Sequence, residues 1–120
     1  RADSLIAALS DGEDLPTAEA IAAARSARDA LIAALEDDYW QVRLQAVRAL
    51  GKLRDTAAST AVATLLTHAI SNLRKEAALS LGELGDVASL PALHAASADA
   101  DPEVRKAARI ALTQIGKAQR

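Results

Sequence analysis

No cysteine occurs in the 120 residues. That removes disulfides, thiolate catalysis and cysteine-ligated zinc or iron–sulfur sites. It fits a reducing compartment, and a cytoplasmic location is expected. Methionine is also missing, so Arg1 is not a native translation start, and the chain reads as processed or as a fragment, such as the C-terminal part, of a longer protein. There is no phenylalanine, and Tyr39 and Trp40 are the lone tyrosine and tryptophan. With β-branched and aromatic runs lacking, strand signals are weak. No apolar run approaches the roughly 18 residues of a membrane span, and residues 1–10 lack the basic-then-apolar order of a signal peptide. The formal net charge is −2, so no overall basic excess points to nucleic acid or an anionic membrane.

What the chain does have is alanine. Hydrophobic residues make up 51%, and with so few aromatics much of that share is Ala, the best helix former and one that lets backbones approach closely. The length fits a single domain, 1–120. A short chain struggles to bury enough surface, but a repeat array buries repeat against repeat.

The repeat is visible. VRLQAVRALGKLRD at 42–55, LRKEAALSLGELGD at 73–86 and VRKAARIALTQIGK at 104–117 stand 31 residues apart. In register, Val42, Leu73 and Val104 match, as do Ala46, Ala77 and Ala108; Leu50, Leu81 and Leu112; and Leu53, Leu84 and Ile115. Apolar positions at i, i+4, i+8 and i+11 form one stripe of a helix. Leu31, Val62 and Leu93 mark a second apolar segment upstream of each copy. Each unit is therefore a helix pair, an upstream helix followed by a motif helix. The expected fold is all-α: an α-solenoid of about four stacked antiparallel helix pairs with a 31-residue period. Residues 1–27 form a degenerate first repeat, and 28–58, 59–89 and 90–118 are regular ones.

The punctuation agrees. Asp101 is an expected N-cap before Pro102, and Ser71 an expected cap of the middle motif helix. Pro91 opens the last upstream helix, and Gly85-Asp86 and Gly116-Lys117 are expected to stop motif helices. Gly51 and Gly82 fall inside helices, where Gly costs about 1 kcal/mol against Ala, so close approach by a neighbouring helix is expected there. The last copy has Thr113 at that slot, and Arg109 where Val47 and Ala78 stand, as a solvated terminal cap at the natural end of the stack would. Near the start, a short helix 2–10 and the acidic loop DGEDLP precede a segment in which nothing breaks the chain between Thr17 and Leu35, leaving open one long helix bent near Ser26.

The pattern D-x-x-V-R-x-x-A-x-x-A-L-G-x-L-G-D, carried by these copies over about 28–117, resembles HEAT repeats of the short bacterial phycobilisome-lyase type. The T-P-L-H and W-x-x-L-G-x-x-Y signatures of ankyrin and tetratricopeptide repeats are absent. The resemblance implies a helical stack and says little about function. It also implies that Arg43, Arg74 and Arg105 form a structural ladder bonded to acidic residues of the inter-helix turns, with Asp37, Asp38, Asp99 and Asp101 as acceptors. The middle turn has His68-Ala69, so Arg74 is expected to draw on a neighbour's carboxylate. Deoxyhypusine hydroxylases resemble this family too, and bind iron through His-Glu pairs in the slot that here holds Leu44-Gln45, Lys75-Glu76 and Lys106-Ala107. No His-Glu pair is present, and an ammonium has no lone pair for a metal. No cofactor, metal or catalytic residue is therefore expected, and Lys75 and Glu76 read as a solvated helix face.

Other chemical candidates are weaker. His68 aligns with Asp37 and Asp99 in a turn, and His94 sits on a helix; without partnered carboxylates both read as surface or turn histidines. Asp11, Glu13 and Asp14, and Asp99, Asp101 and Glu103, lack EF-hand spacing and read as caps. GELG at 82–85 follows a helix rather than a strand, so it is no phosphate loop.

The motif helices are expected to line the concave side. Leu79 and Ile110 stand in the slot of Arg48, Leu44 in the slot of Lys75 and Lys106, and Tyr39 and Ile70 match at helix starts. Trp40 stands where the family more often has Pro. Leu79 and Ile110 are expected to be exposed. Tyr39 and Trp40 either anchor a partner or fill the groove between adjacent repeats. Exposed apolar groups mark contact sites, and Trp, Tyr and Arg lead among interface anchors. The expected function is a non-catalytic, monomeric scaffold that binds a protein partner through Tyr39, Trp40, Leu44, Arg48, Ile70, Lys75, Leu79, Lys106 and Ile110. A chromophore-lyase or chaperone-like subunit and nucleic-acid binding through the basic face are the alternatives, the latter disfavoured by net charge and scarce aromatics.

Overall fold

The computed structural model describes residues 17–119, and every regular element among them is helical. The expected helix 2–10 and the acidic loop with Asp11, Glu13 and Asp14 lie outside the described residues. Helix α1 (Ala18–Ala34) is one continuous helix through Ser26, capped by Thr17, whose hydroxyl accepts from the Ala20 amide at 3.1 Å. Next come α2 (Trp40–Leu53), a 3-10 turn (Thr56–Ala58), α3 (Ser59–Ala63) and a second 3-10 turn (Thr64–Thr67). Helix α4 (Ser71–Leu84), a 3-10 turn (Val87–Ser89), α5 (Leu90–Ala96) and α6 (Pro102–Ala118) complete the chain. The motif helices α2, α4 and α6 pack side by side as one layer, and α1, α3 and α5 lie against them as the other. The chain spans 45 × 39 × 19 Å, its short dimension matching two helices of about 10 Å each.

Two interior glycines set the spacing of the motif layer. A Cβ added at Gly51 would stand 2.8 Å from Ser80 Oγ and 3.1 Å from Ser80 Cα. One at Gly82 would stand 2.9 Å from Ala111 Cα. The same rung thus recurs, α2 on α4 and α4 on α6, with a small residue facing each Gly. At the first rung Ser80 Oγ also donates to the Val47 carbonyl at 2.9 Å, which satisfies a buried hydroxyl across the helix pair. In the middle motif helix Leu73, Ala77 and Leu81 are fully buried and Leu84 nearly so, as the stripe predicts.

Helix ends follow side-chain chemistry, with two departures from expectation. Asp101 caps α6 by accepting from the Glu103 amide at 2.7 Å, with Pro102 in the first turn. Gly85 ends α4 in the left-handed region (φ 71°) and Arg54 ends α2 likewise (φ 56°). Each is followed by an aspartate that starts the next 3-10 turn: Asp55 accepts from the Ala57 amide and Asp86 from the Ala88 amide, both at 3.0 Å. Gly116 does not stop α6, which runs on to Ala118. Lys117 follows it instead of Asp, so no Asx-type turn competes with the helix. Ser71 is not a cap either; Ile70 holds the N-cap position, with no side-chain bond.

Apolar stripe positions in α2 also depart from the pattern. Val42 is 40% and Leu53 45% exposed, whereas Leu73, Val104 and Ile115 are closed. In α4 this stripe turns back toward α2, as Ser80 shows. Among the described residues α2 has only the single helix α1 on that side, and the two ends of its stripe stay uncovered. Leu112 is half-buried rather than closed.

Candidate protein-interaction face

The turns that enter the motif helices carry a hydrogen-bonded ladder. Arg43 Nε donates to the Asp37 carbonyl. Arg74 Nη1 donates to the His68 and Ala69 carbonyls at 2.9 and 3.1 Å, and Arg105 Nη1 to those of Asp99 and Ala100 at 2.8 and 3.1 Å. Each arginine thereby ties its helix to its own entry turn. The residue that opens the turn caps it in the same way each time: Asp37 Oδ1 accepts from the Tyr39 amide at 2.9 Å, His68 Nδ1 from that of Ile70 at 3.0 Å, and Asp99 Oδ1 from that of Asp101 at 2.8 Å.

Two arginines also reach the next repeat. Arg74 grips Asp99 with a two-pronged contact, Nε to Oδ2 at 2.9 Å and Nη2 to Oδ1 at 3.1 Å. Such geometry matches a planar guanidinium to a carboxylate. The Arg74 hydrogen bond, then the Asp101 amide, hold the Asp99 carboxyl below its ordinary range against the opposing effect of burial. Arg43 Nη1 lies 3.1 Å from His68 Nε2, so the group it faces is an imidazole rather than the expected carboxylate. The signal for this role was the alignment of His68 with Asp37 and Asp99. His68, read as a surface or turn histidine, is indeed in the turn but half-buried, with one ring nitrogen facing the Ile70 amide and the other facing Arg43.

A groove of about 490 Å³ runs beside this ladder between α3 and α5 and includes His68, Arg74 and Asp99. Its charged groups are already bonded to each other and its remaining lining is mostly alanine, so it offers little to a partner.

The motif-helix face is different. A groove of about 210 Å³ between α4 and α6 brings together Lys75, Leu79, Lys106 and Ile110, with Glu103 and Ala107. Ile110 is 47% exposed. Leu79, expected to stand free, is half-buried and packs against the core, because α6 lies beside it. Further along α6 a shallow concavity of about 460 Å³ is lined by Lys106, Arg109, Ile110, Thr113, Gln114 and Lys117. Thr113, Gln114 and Lys117 were not among the expected site residues, although their spacing from Lys106 and Ile110 is that of one helix stripe. Among the described residues none of Lys75, Lys106, Arg109 and Lys117 is ion-paired.

The other expected site residues are more scattered. Arg48 donates to Glu76 Oε1 at 2.9 Å, which joins α2 to α4 beside Lys75. That contact raises the Arg48 pKa above its ordinary value. It also means Glu76 is not a free solvated residue. Tyr39 is 70% exposed at the start of α2. Trp40, Leu44 and Ile70 are half-buried. These four line neither of the two grooves on this face.

A family model described as HEAT repeats matches residues 28–113. The chain is a HEAT-repeat protein. No curated protein sequence matches it. Among solved structures, human deoxyhypusine hydroxylase in complex with glycerol is similar to it, with a TM-score of 0.72 at 26% sequence identity. The alignment covers 96% of this chain and 42% of the hydroxylase, so the HEAT repeats here span less than half the length of that enzyme. The iron that the resemblance to hydroxylases implies does not fit the residues present. The slot holds Leu44, Lys75 and Lys106 where His would be needed, and its one carboxylate, Glu76, is bonded to Arg48. Among the described residues no three His, Asp or Glu side chains converge as a metal site, and no helix is long and apolar enough to cross a membrane.

Proposed function

We propose that this HEAT-repeat chain is a non-catalytic protein-interaction module, an α-solenoid with a 31-residue period that receives a protein partner on its motif-helix face. HEAT repeats generally mediate protein–protein contacts, and this chain carries the features that such a contact needs. The supporting observation is the groove between α4 and α6, where half-exposed Ile110 and the edge of Leu79 are flanked by Lys75 and Lys106, neither ion-paired among the described residues. Apolar anchors give affinity, and surrounding charge gives selection and rate of encounter. We place the chain in the short bacterial phycobilisome-lyase-type subgroup, as a cytoplasmic monomer. The hydroxylase likeness raises an enzymatic alternative, but the donor set described above speaks against it.

Affinity capture by the parent chain and by Lys75→Glu/Ile110→Glu tests the reading, with circular dichroism to show that both fold. The parent retains a partner that the double variant loses. A variant that folds and keeps every partner of the parent contradicts the assignment of this face.

A further inference from the structure

We propose that the C-terminal edge of the motif layer, the side of α6 bearing Arg105, Arg109, Thr113 and Lys117, docks an acidic amphipathic helix of a partner protein. The proposal rests on the interaction reading above and specifies the partner's chemistry. Three observations on this edge converge.

The first is an open guanidinium. Arg74 uses Nε and Nη2 to hold Asp99 of the next repeat, and Nη1 for its own turn. Arg105 bonds its own turn through Nη1 in the same way. Among the described residues its Nε and Nη2 hold no carboxylate. The fork that clamps a carboxylate in the middle repeat is therefore presented, preorganised, at this edge.

The second is charge. Helix α6 carries Arg105, Lys106, Arg109 and Lys117 against Glu103 alone. The concavity of about 460 Å³ on its surface has three of these cations and exposed Ile110 in its lining, and no carboxylate. Charge complementarity thus selects acidic side chains around an apolar contact.

The third is the shape of the edge. Gly82 of α4 lets α6 approach until backbone nearly touches backbone, and Ala78 is buried one turn before it. The equivalent positions on α6 are Arg109 and Thr113, both exposed. A helix laid along α6 in the place of a further motif helix must sit farther out. The added separation leaves room for Asp and Glu side chains to meet Arg105, Arg109 and Lys117 while apolar residues one turn apart cover Ile110, the helix-in-groove mode of recognition.

The test is fluorescence anisotropy of a synthetic peptide, helical and amphipathic with one acidic and one leucine face, titrated with the full chain. The parent binds, and binding weakens as salt rises. Arg109→Glu/Lys117→Glu weakens it about tenfold or more. Arg105→Lys, which keeps the charge and loses the fork, weakens it several-fold. Lys52→Glu, exposed on α2 and outside both grooves, changes it by less than about twofold. No binding by the parent, or binding untouched by the α6 pair, overturns the proposal. If Lys75→Glu is as damaging as the α6 pair, the peptide sits in the α4–α6 groove; the edge assignment falls and the interaction reading stands. An unstructured acidic peptide or duplex DNA that binds equally well, with the same dependence on the α6 residues, marks a generic polyanion site and also overturns it. So does sedimentation that shows a dimer of the parent abolished by the α6 pair, since the edge would then be a self-contact.

Discussion

At the scale of single residues, the rungs make unequal demands on superficially similar glycines. Adding a methyl at Gly82 places it 2.9 Å from Ala111 Cα, a backbone atom that cannot step aside. Gly82→Ala should therefore destabilise by about 1–3 kcal/mol, the helix-propensity gain being smaller than the overpacking. A Cβ at Gly116 meets nothing within 4 Å, and the residue lies within α6. Gly116→Ala should stabilise by about 0.5–1 kcal/mol. Urea denaturation of both variants reads the opposite signs; two shifts in the same direction would contradict the packing described. His68 offers a second residue-scale case. It is asked to accept from the Ile70 amide through Nδ1 and to face a guanidinium donor through Nε2. A neutral imidazole has one acceptor nitrogen, so one of these contacts goes unmade. Aspartate does both at position 99. His68→Asp should raise stability by about 1 kcal/mol in the same denaturation measurement. The interior glycines were legible because a helix carries Gly at a cost only for a reason. The frustration at His68 was not, because it depends on which atoms face the ring.

At the scale of elements, the repeats are joined by hydrogen bonds that skip from one motif helix to the turn of the next pair. The Arg74–Asp99 clamp is the clearest, and it gives a pH dependence. The Asp99 carboxyl is held low by Arg74 and then by the Asp101 amide. Its folded value lies below its unfolded one, so its contribution is fully present above the ordinary carboxylate value of about 3.9. It is lost as pH falls through the lowered folded value. Asp99→Asn should cost about 1–2 kcal/mol at neutral pH. The difference from the parent should vanish in strong acid, so acid unfolding of the variant is less steep. A constant difference across pH would contradict the clamp. Sequence periodicity gave these helices and most of their buried stripe, as Leu73, Ala77, Leu81 and Leu84 show. It could not give the exposure of Val42 and Leu53, because a stripe announces that it wants cover and not how many helices lie on that side to supply it. Nor could it show that Gly116 would be passed over, since the stop depends on the Asp that follows Gly85 and is missing after Gly116.

At the scale of the whole molecule, the stack sorts its charge. Arg43 and Arg74 are spent within the fold, while Arg105 keeps part of its fork and the cations of the α4–α6 face are left open around Ile110. Part of this face was readable from the slots of Lys75, Leu79, Lys106 and Ile110. Its extension to Thr113, Gln114 and Lys117 needed the structure, because those residues sit where earlier repeats have close-packing or unrelated ones. Tyr39, the most exposed of the expected aromatic and aliphatic contact residues, stands apart from both grooves. The most direct measurement is hydrogen–deuterium exchange of the chain alone and bound to a partner retained by affinity capture. The account predicts that added protection concentrates over residues 75–79 and 103–117, the facing sides of α4 and α6. Protection confined to α1, α3 and α5, with those two segments unchanged, would contradict it.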